Sequence, residues 1–181
     1  QWLKDLCKSS SLKIFHNAMY DVCWIRAMGI EIKGDIVDTM TAASLINENR
    51  MRYDLNSLGR EYIGYGKNEA ALIAGAKEWG IDPKAEMWRL PAMYVGEYAE
   101  RDAEVTYQLW KKLKRELSNQ DLESIFELES DLFPCLVDMK FKGVRVDVES
   151  AHKLKQKLLA QEIALLQEIK KETQIDAQIW A

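Results

Sequence analysis

The alternation of apolar and polar positions is helical over most of the chain. Ala18 to Met28 places Met19, Val22, Cys23, Ile25 and Met28 on one broad face, and Gly29 stops the run. Leu3 to Ser10 and Thr39 to Asn47 read as shorter helices. Asp54 to Ile63 is another, with Asp54 as its N-cap and Gly64-Tyr65-Gly66 as the turn that follows. Ala70 to Trp79 is helical up to Gly80. Asp82-Pro83 pairs a capping carboxylate with a proline at a first helical position, which predicts a further helix start. Pro91 opens the next helix the same way, through Tyr98 and Asp102 to about Leu117. Leu122 to Met139 is a long apolar helix in which Pro134 is a kink site. Lys142-Gly143 breaks the pattern, and Asp147 caps a last helix whose stripe is Leu154, Leu158, Leu165 and Ile169. Only Lys13 to His16, Asp35 to Asp38 and Val144 to Val146 read as strands. So few short strands make no stable sheet alone, so the sheet they belong to is expected to lack some of its members.

Composition narrows the class only a little. Nearly half of the 181 residues are apolar, enough for a sizeable core. No run approaches the ~18 apolar residues of a membrane span, and no signal peptide is visible, so a cytoplasmic protein without membrane contact is expected. Cys7, Cys23 and Cys135 lack metal-ligand spacing and read as reduced thiols. The net charge of −4 does not point to a nucleic-acid surface, yet a carboxylate-built nuclease site can be mildly acidic, so charge leaves that class open. The chain opens on Gln1 and closes on Gln178-Ile179-Trp180-Ala181, which reads as a segment of something longer.

Two groups of residues can carry chemistry. Asn17-Ala18-Met19-Tyr20-Asp21 lies just after a strand and opens a helix. Tyr98 and Asp102 are one turn apart inside a helix, so a phenol and a carboxylate share a face and can hold a metal ion and a water side by side. Each is weak alone: an Asp near a helix start is most often a cap, and a Tyr-x-x-x-Asp pair is most often packing plus a solvated acid. His16, at a strand end, reads better as a packed or hydrogen-bonded residue than as a base. Trp110 reads as core, while Trp79 and Trp88 are open between packing and stacking on unpaired bases.

The surroundings raise the weight of both groups. Lys13-Ile14-Phe15-His16-Asn17-Ala18-Met19-Tyr20-Asp21, continued by Gly29-Ile30-Glu31-Ile32 and Asp35-Ile36-Val37-Asp38-Thr39-Met40, resembles the second exonuclease motif of family A DNA polymerases. Tyr53-Asp54-Leu55-Asn56-Ser57-Leu58-Gly59 resembles the family's next helix start. Glu97-Tyr98-Ala99-Glu100-Arg101-Asp102-Ala103-Glu104-Val105-Thr106 resembles the third motif in its tyrosine-bearing form. Lys142-Gly143-Val144-Arg145-Val146-Asp147 resembles the element that begins the polymerase domain. The resemblance runs in order from about Leu3 to the end, and residues 67 to 93 match it least. The family's first motif, an Asp-x-Glu on an earlier strand, is absent: Asp102-Ala103-Glu104, Asp121-Leu122-Glu123 and Asp147-Val148-Glu149 all lie after Asp21.

The resemblance implies an α/β, ribonuclease H-like 3'-5' exonuclease fold, truncated and therefore mostly helical. It implies an exonuclease portion over residues 1–119, then a connecting helix and the start of a polymerase domain over 120–181. The implied chemistry is two-metal hydrolysis of the terminal phosphodiester at a DNA 3' end, single-stranded or in a primer–template, releasing a nucleotide. Mg²⁺ or Mn²⁺ is the expected metal, with Asp21 and Asp102 as ligands. Tyr98 would orient the attacking water, and Asn17 would contact the terminal nucleotide's backbone. With the first motif's carboxylates missing, the segment is expected to hold no tight metal pair and to be nearly inactive. It is also expected to self-associate through uncovered strand and helix surfaces. Two rivals are a stand-alone RNA-processing exonuclease and a non-catalytic scaffold beside a polymerase.

Overall fold

The structure is a computed structural model and describes residues 1–177, so the apolar Ile179-Trp180 ending lies outside the described residues. The chain divides into two units, Gln1–Phe141 and Lys142–Ala181. The first begins with α1 (Trp2–Lys8), β1 (Lys13–Phe15), α2 (Ala18–Ala27), β2 (Ile36–Asp38) and α3 (Thr39–Ile46). It continues with α4 (Leu55–Ile63), α5 (Ala70–Trp79), a 3₁₀ turn at Met87–Arg89, α6 (Ala92–Asn119) and α7 (Glu123–Lys142). The second unit is dominated by α8 (Val148–Thr173), started by Asp147, whose carboxylate accepts from the Ser150 amide at 2.9 Å and the Ser150 hydroxyl at 2.8 Å. No described helix is long and apolar enough to cross a membrane.

β1 and β2 pair in parallel, with Lys13 opposite Ile36, Ile14 opposite Val37 and Phe15 opposite Asp38. Parallel neighbours need a crossover, and α2 supplies it. Period-two alternation splits the side chains between two cores. Ile14 and Val37 join Ala42, Leu55, Leu58, Val105, Leu109 and Leu113 on one face, while Phe15 and Ile36 meet Ala18, Val22 and Val137 on the other. Among the described residues β1 has a strand partner on one edge only.

Helix α6 is the spine of this unit. Val105, Leu109, Leu113 and Leu117 recur every fourth residue and are fully or almost fully buried against α3 and α4. Burying each such side chain contributes about 1.5–3 kcal/mol. Trp110 is core as expected and packs on Phe126 at 5.5 Å between ring centroids. The N-terminal half of α6 packs on α5 instead, through Tyr94, Val95, Tyr98, Leu72 and Ala76. Gly75 is required there, since a Cβ would lie 2.6 Å from the Tyr94 ring.

Two expected elements do not form. Val144-Arg145-Val146 is not a strand: the described residues offer it no neighbouring strand, and Val144 and Val146 stand exposed. The cap at Asp82 is real, with its carboxylate accepting from the Lys84 and Ala85 amides at 2.7 Å, but it starts a single turn. Leu90-Pro91 follows too closely, and the residue before a proline avoids the helical region.

One carboxylate ties the sheet to two helices. Asp38 Oδ1 accepts from the Met40 amide at 2.8 Å, capping α3, and from the Asn17 amide at 2.9 Å. Asp38 Oδ2 accepts from the Ala18 amide at 2.7 Å, at the start of α2. Ordinary N-caps are worth about 1 kcal/mol, and this one serves two helices. Asp38→Ala should lower stability by about 2–3 kcal/mol in urea unfolding, and Asp38→Asn, which keeps one acceptor, by less. Equal losses for the two variants would show that the shared charge does not matter.

Candidate active site

The first half of the site is set by the β1–α2 turn. Asn17 has φ of 64°, a left-handed conformation that asparagine tolerates better than most side chains. Its amide is held by Asp38, and its own exposed side chain makes no capping bond. Asp21 follows in the first turn of α2 and is half-buried. Burial pushes its carboxyl above the usual aspartate range; a bond to its own backbone opposes this and the charge of Asp38 adds to it.

The second half is on α6. Tyr98 and Asp102 lie one turn apart, and both groups meet at one point: the Lys67 ammonium donates to Asp102 Oδ2 at 2.8 Å and to Tyr98 Oη at 3.0 Å. The ammonium also lies 5.1 Å from the centroid of the Tyr98 ring. Burial pulls the Lys67 pKa down, but the bonds to Asp102 and Tyr98 together outweigh it and leave it above the ordinary lysine value. Asp102 Oδ1 is buried and has no hydrogen-bond partner.

Lys67 is presented by a fixed loop. Its amide donates to Asn56 Oδ1 at 3.2 Å, and Arg101 donates from Nε to the Gly66 carbonyl at 3.3 Å while lying 4.1 Å over the Tyr65 ring. Gly66 permits this approach, because a Cβ there would fall 2.1 Å from Asn56 Oδ1. The sequence carries no signal for Lys67 beyond the Gly64-Tyr65-Gly66 turn immediately before it.

His16 is electrostatically coupled to both halves. Thr39 donates its one hydroxyl proton to the Phe15 carbonyl at 3.0 Å, so it accepts from His16 Nδ1 at 2.9 Å. This leaves His16 Nε2 as a bare, buried acceptor without a partner. Burial lowers the His16 pKa, Asp38 opposes that, and Lys67 assists it. The packed, hydrogen-bonded reading of His16 therefore holds.

The donors that could hold a cation are hard carboxylate oxygens, and the unpartnered Asp102 Oδ1 suits a divalent ion of the Mg²⁺ type. The described residues form no cluster of three or more His, Cys, Asp or Glu, so the carboxylates shown are too few to enclose a metal ion by themselves.

The sequence model of a 3'-5' exonuclease family, that of the polymerase A class, matches residues 1–118. The chain belongs to the 3'-5' exonuclease family of family A DNA polymerases. Proteins similar to this chain include the DNA-directed DNA polymerase of Pseudomonas phage M6, 34% identical over 85% of the chain and 24% of that protein. DNA polymerase DpoZ of Acinetobacter phage SH-Ab 15497 is 31% identical over 87% of the chain and 26% of its own length. DNA polymerase I of a Synechocystis strain is 30% identical over 81% of the chain and 14% of its length. The chain thus spans about a quarter of the phage relatives' length.

Asp21 gives a test of the site's electrostatics. Its folded pKa lies above its unfolded one, so its stabilising contribution is complete below the ordinary aspartate range and is lost as pH rises through the folded value. At neutral pH the ionised carboxylate is a liability. Asp21→Asn should therefore stabilise the chain at pH 7 by less than about 1 kcal/mol, since water screens a half-exposed group. The gain should vanish on acidification to the ordinary aspartate range. A loss of melting temperature at pH 7 in this variant would overturn the assignment of burial as the dominant cause.

Proposed function

We propose that this chain is the proofreading exonuclease segment of a longer DNA-directed DNA polymerase, with a ribonuclease H-like fold completed by strands that pair with the open edge of β1. The observation that carries the reading is the shared focus of Tyr98 and Asp102: a phenol oxygen and a carboxylate oxygen, each about 3 Å from one cation. The substrate is the 3' end of DNA, single-stranded or frayed from a primer–template, and the product a nucleotide. Bound divalent cations, Mg²⁺ or Mn²⁺, would supply charge neutralisation and an activated water.

The chain's own residues have distinct tasks in this reading. Asp102 offers the buried Oδ1 as a metal ligand. Tyr98 hydrogen-bonds and orients the attacking water. Asp21 would help to hold the second metal, and Asn17, whose side-chain amide makes no capping bond, would contact the terminal nucleotide's backbone. The segment alone supplies two carboxylates, so we propose that it hydrolyses DNA very slowly and binds no tight metal pair. Its location is the cytoplasm of a bacterium, infected or not.

A 3'-digestion assay on single-stranded DNA tests this in the longer polymerase that contains the segment. Asp102→Ala should lower nucleotide release on the order of a hundredfold or more while leaving chain extension intact. Undiminished digestion in that variant would end the reading.

The open edge of β1 offers unpaired backbone groups to another chain, and we propose that the segment self-associates through it. Sedimentation should show a mass that grows between micromolar and millimolar concentration. A monomer at both would mean the edge is covered.

A further inference from the structure

The exonuclease reading accounts for Tyr98 and Asp102 but not for the lysine between them. We propose that Lys67 is a positioning residue that holds the Tyr98 hydroxyl and Asp102 Oδ2 in place as a resident cation, and that a divalent metal must displace it to ligate Asp102. The inference rests on the exonuclease assignment of Asp102 and names a regulator of that same site.

Three observations carry it. The ammonium already occupies Asp102 Oδ2 at 2.8 Å, an oxygen that a metal bound through both carboxylate oxygens would need. The pair is not a loose surface contact, because the Lys67 and Asp102 side chains are only 23% and 24% exposed. The loop that carries Lys67 is fixed by Asn56 and Arg101, and a Cβ at Gly66 would displace the Asn56 amide that holds it, so the lysine is aimed at the site rather than resting on it.

The unpartnered Asp102 Oδ1 is the independent sign that the arrangement is not an end state. An ammonium satisfies one oxygen of the carboxylate and leaves the other buried and bare. A hard dication can take both. The long, flexible lysine stem can swing its charge to water once that happens, because its remaining partners are a phenol oxygen and a ring face. The site then has two states: a closed one with an internal cation, and an open one in which metal has taken its place and the Tyr98 hydroxyl is released toward the attacking water.

The test is a Mn²⁺ titration of the 181-residue chain, read by paramagnetic broadening of the backbone amide signals of residues 101–106, with the fold checked by circular dichroism. Removing the competing charge in Lys67→Met should raise the Mn²⁺ affinity of those signals by about tenfold or more. Asp102→Asn should abolish the broadening in either background. Mere structural damage would weaken binding, so an increase is not what a purely packing role gives. Broadening at unchanged or higher Mn²⁺ concentration in Lys67→Met would overturn the displacement while leaving the exonuclease reading in place. No broadening at residues 101–106 in either the original chain or Lys67→Met would also overturn the displacement, while the exonuclease reading, which expects no tight metal pair in the segment alone, would stand or fall on the digestion assay.

Discussion

The shared carboxylate of Asp38 is the constraint from which the sheet end is organised. It sits at the last position of β2 and accepts backbone bonds from two separate helix starts. Without it, the left-handed turn at Asn17 would have to be held by local interactions alone, and such turns suit asparagine less well than glycine. With it, α2 leaves the sheet in one fixed direction. Asp21 is carried to its place by that direction, and His16 is packed under the same turn through Thr39. Burial is the main reason the Asp21 carboxyl lies high, and the charge that fixes the backbone adds to it.

The opposite flank relies on a different device. Tyr98 and Asp102 need no long-range tie to face the same way, because helical spacing does that. What needs explaining is why they are not simply solvated. The answer is the loop from Tyr65 to Lys67, which Arg101 and Asn56 press against α4 and α6. Lys67 covers the pair and supplies the charge that Asp102 would otherwise lack inside a partly dry site.

Much of this was legible in advance. Caps at Asp54, Asp82 and Asp147 announced themselves by residue type and spacing, and the Asp54 carboxylate does accept from the Ser57 amide at 3.0 Å. Pro91 marked the start of the spine helix, which does begin at Ala92. What escaped were interactions with no local signature. Lys67 reaches a partner 35 positions away, and a lone lysine after a glycine turn looks like any solvated residue. Asp38 resembled a strand end, because its bonds to Asn17 and Ala18 depend on the parallel pairing of β1 and β2. The strand expected at Val144 failed for a related reason: β structure is a property of pairs, and an extended triplet with no neighbour has nothing to bond.

The continuity of α6 has a mechanical side. Its C-terminal half is clamped in the core near Leu113, and its N-terminal half carries Tyr98 and Asp102 on the same unbroken rod. The clamp does not stop at Leu113, because Val105 is fully buried in the same row and stands one turn from Asp102, an arm of about 4.5 Å. A tilt of about 5° there would sweep the backbone of Asp102 through only about 0.4 Å, less than the ~1 Å misplacement that costs catalytic sites dearly. The buried row therefore keeps the site stiff, and a cavity carved beneath Leu113 would register as lost stability before it registered as lost geometry.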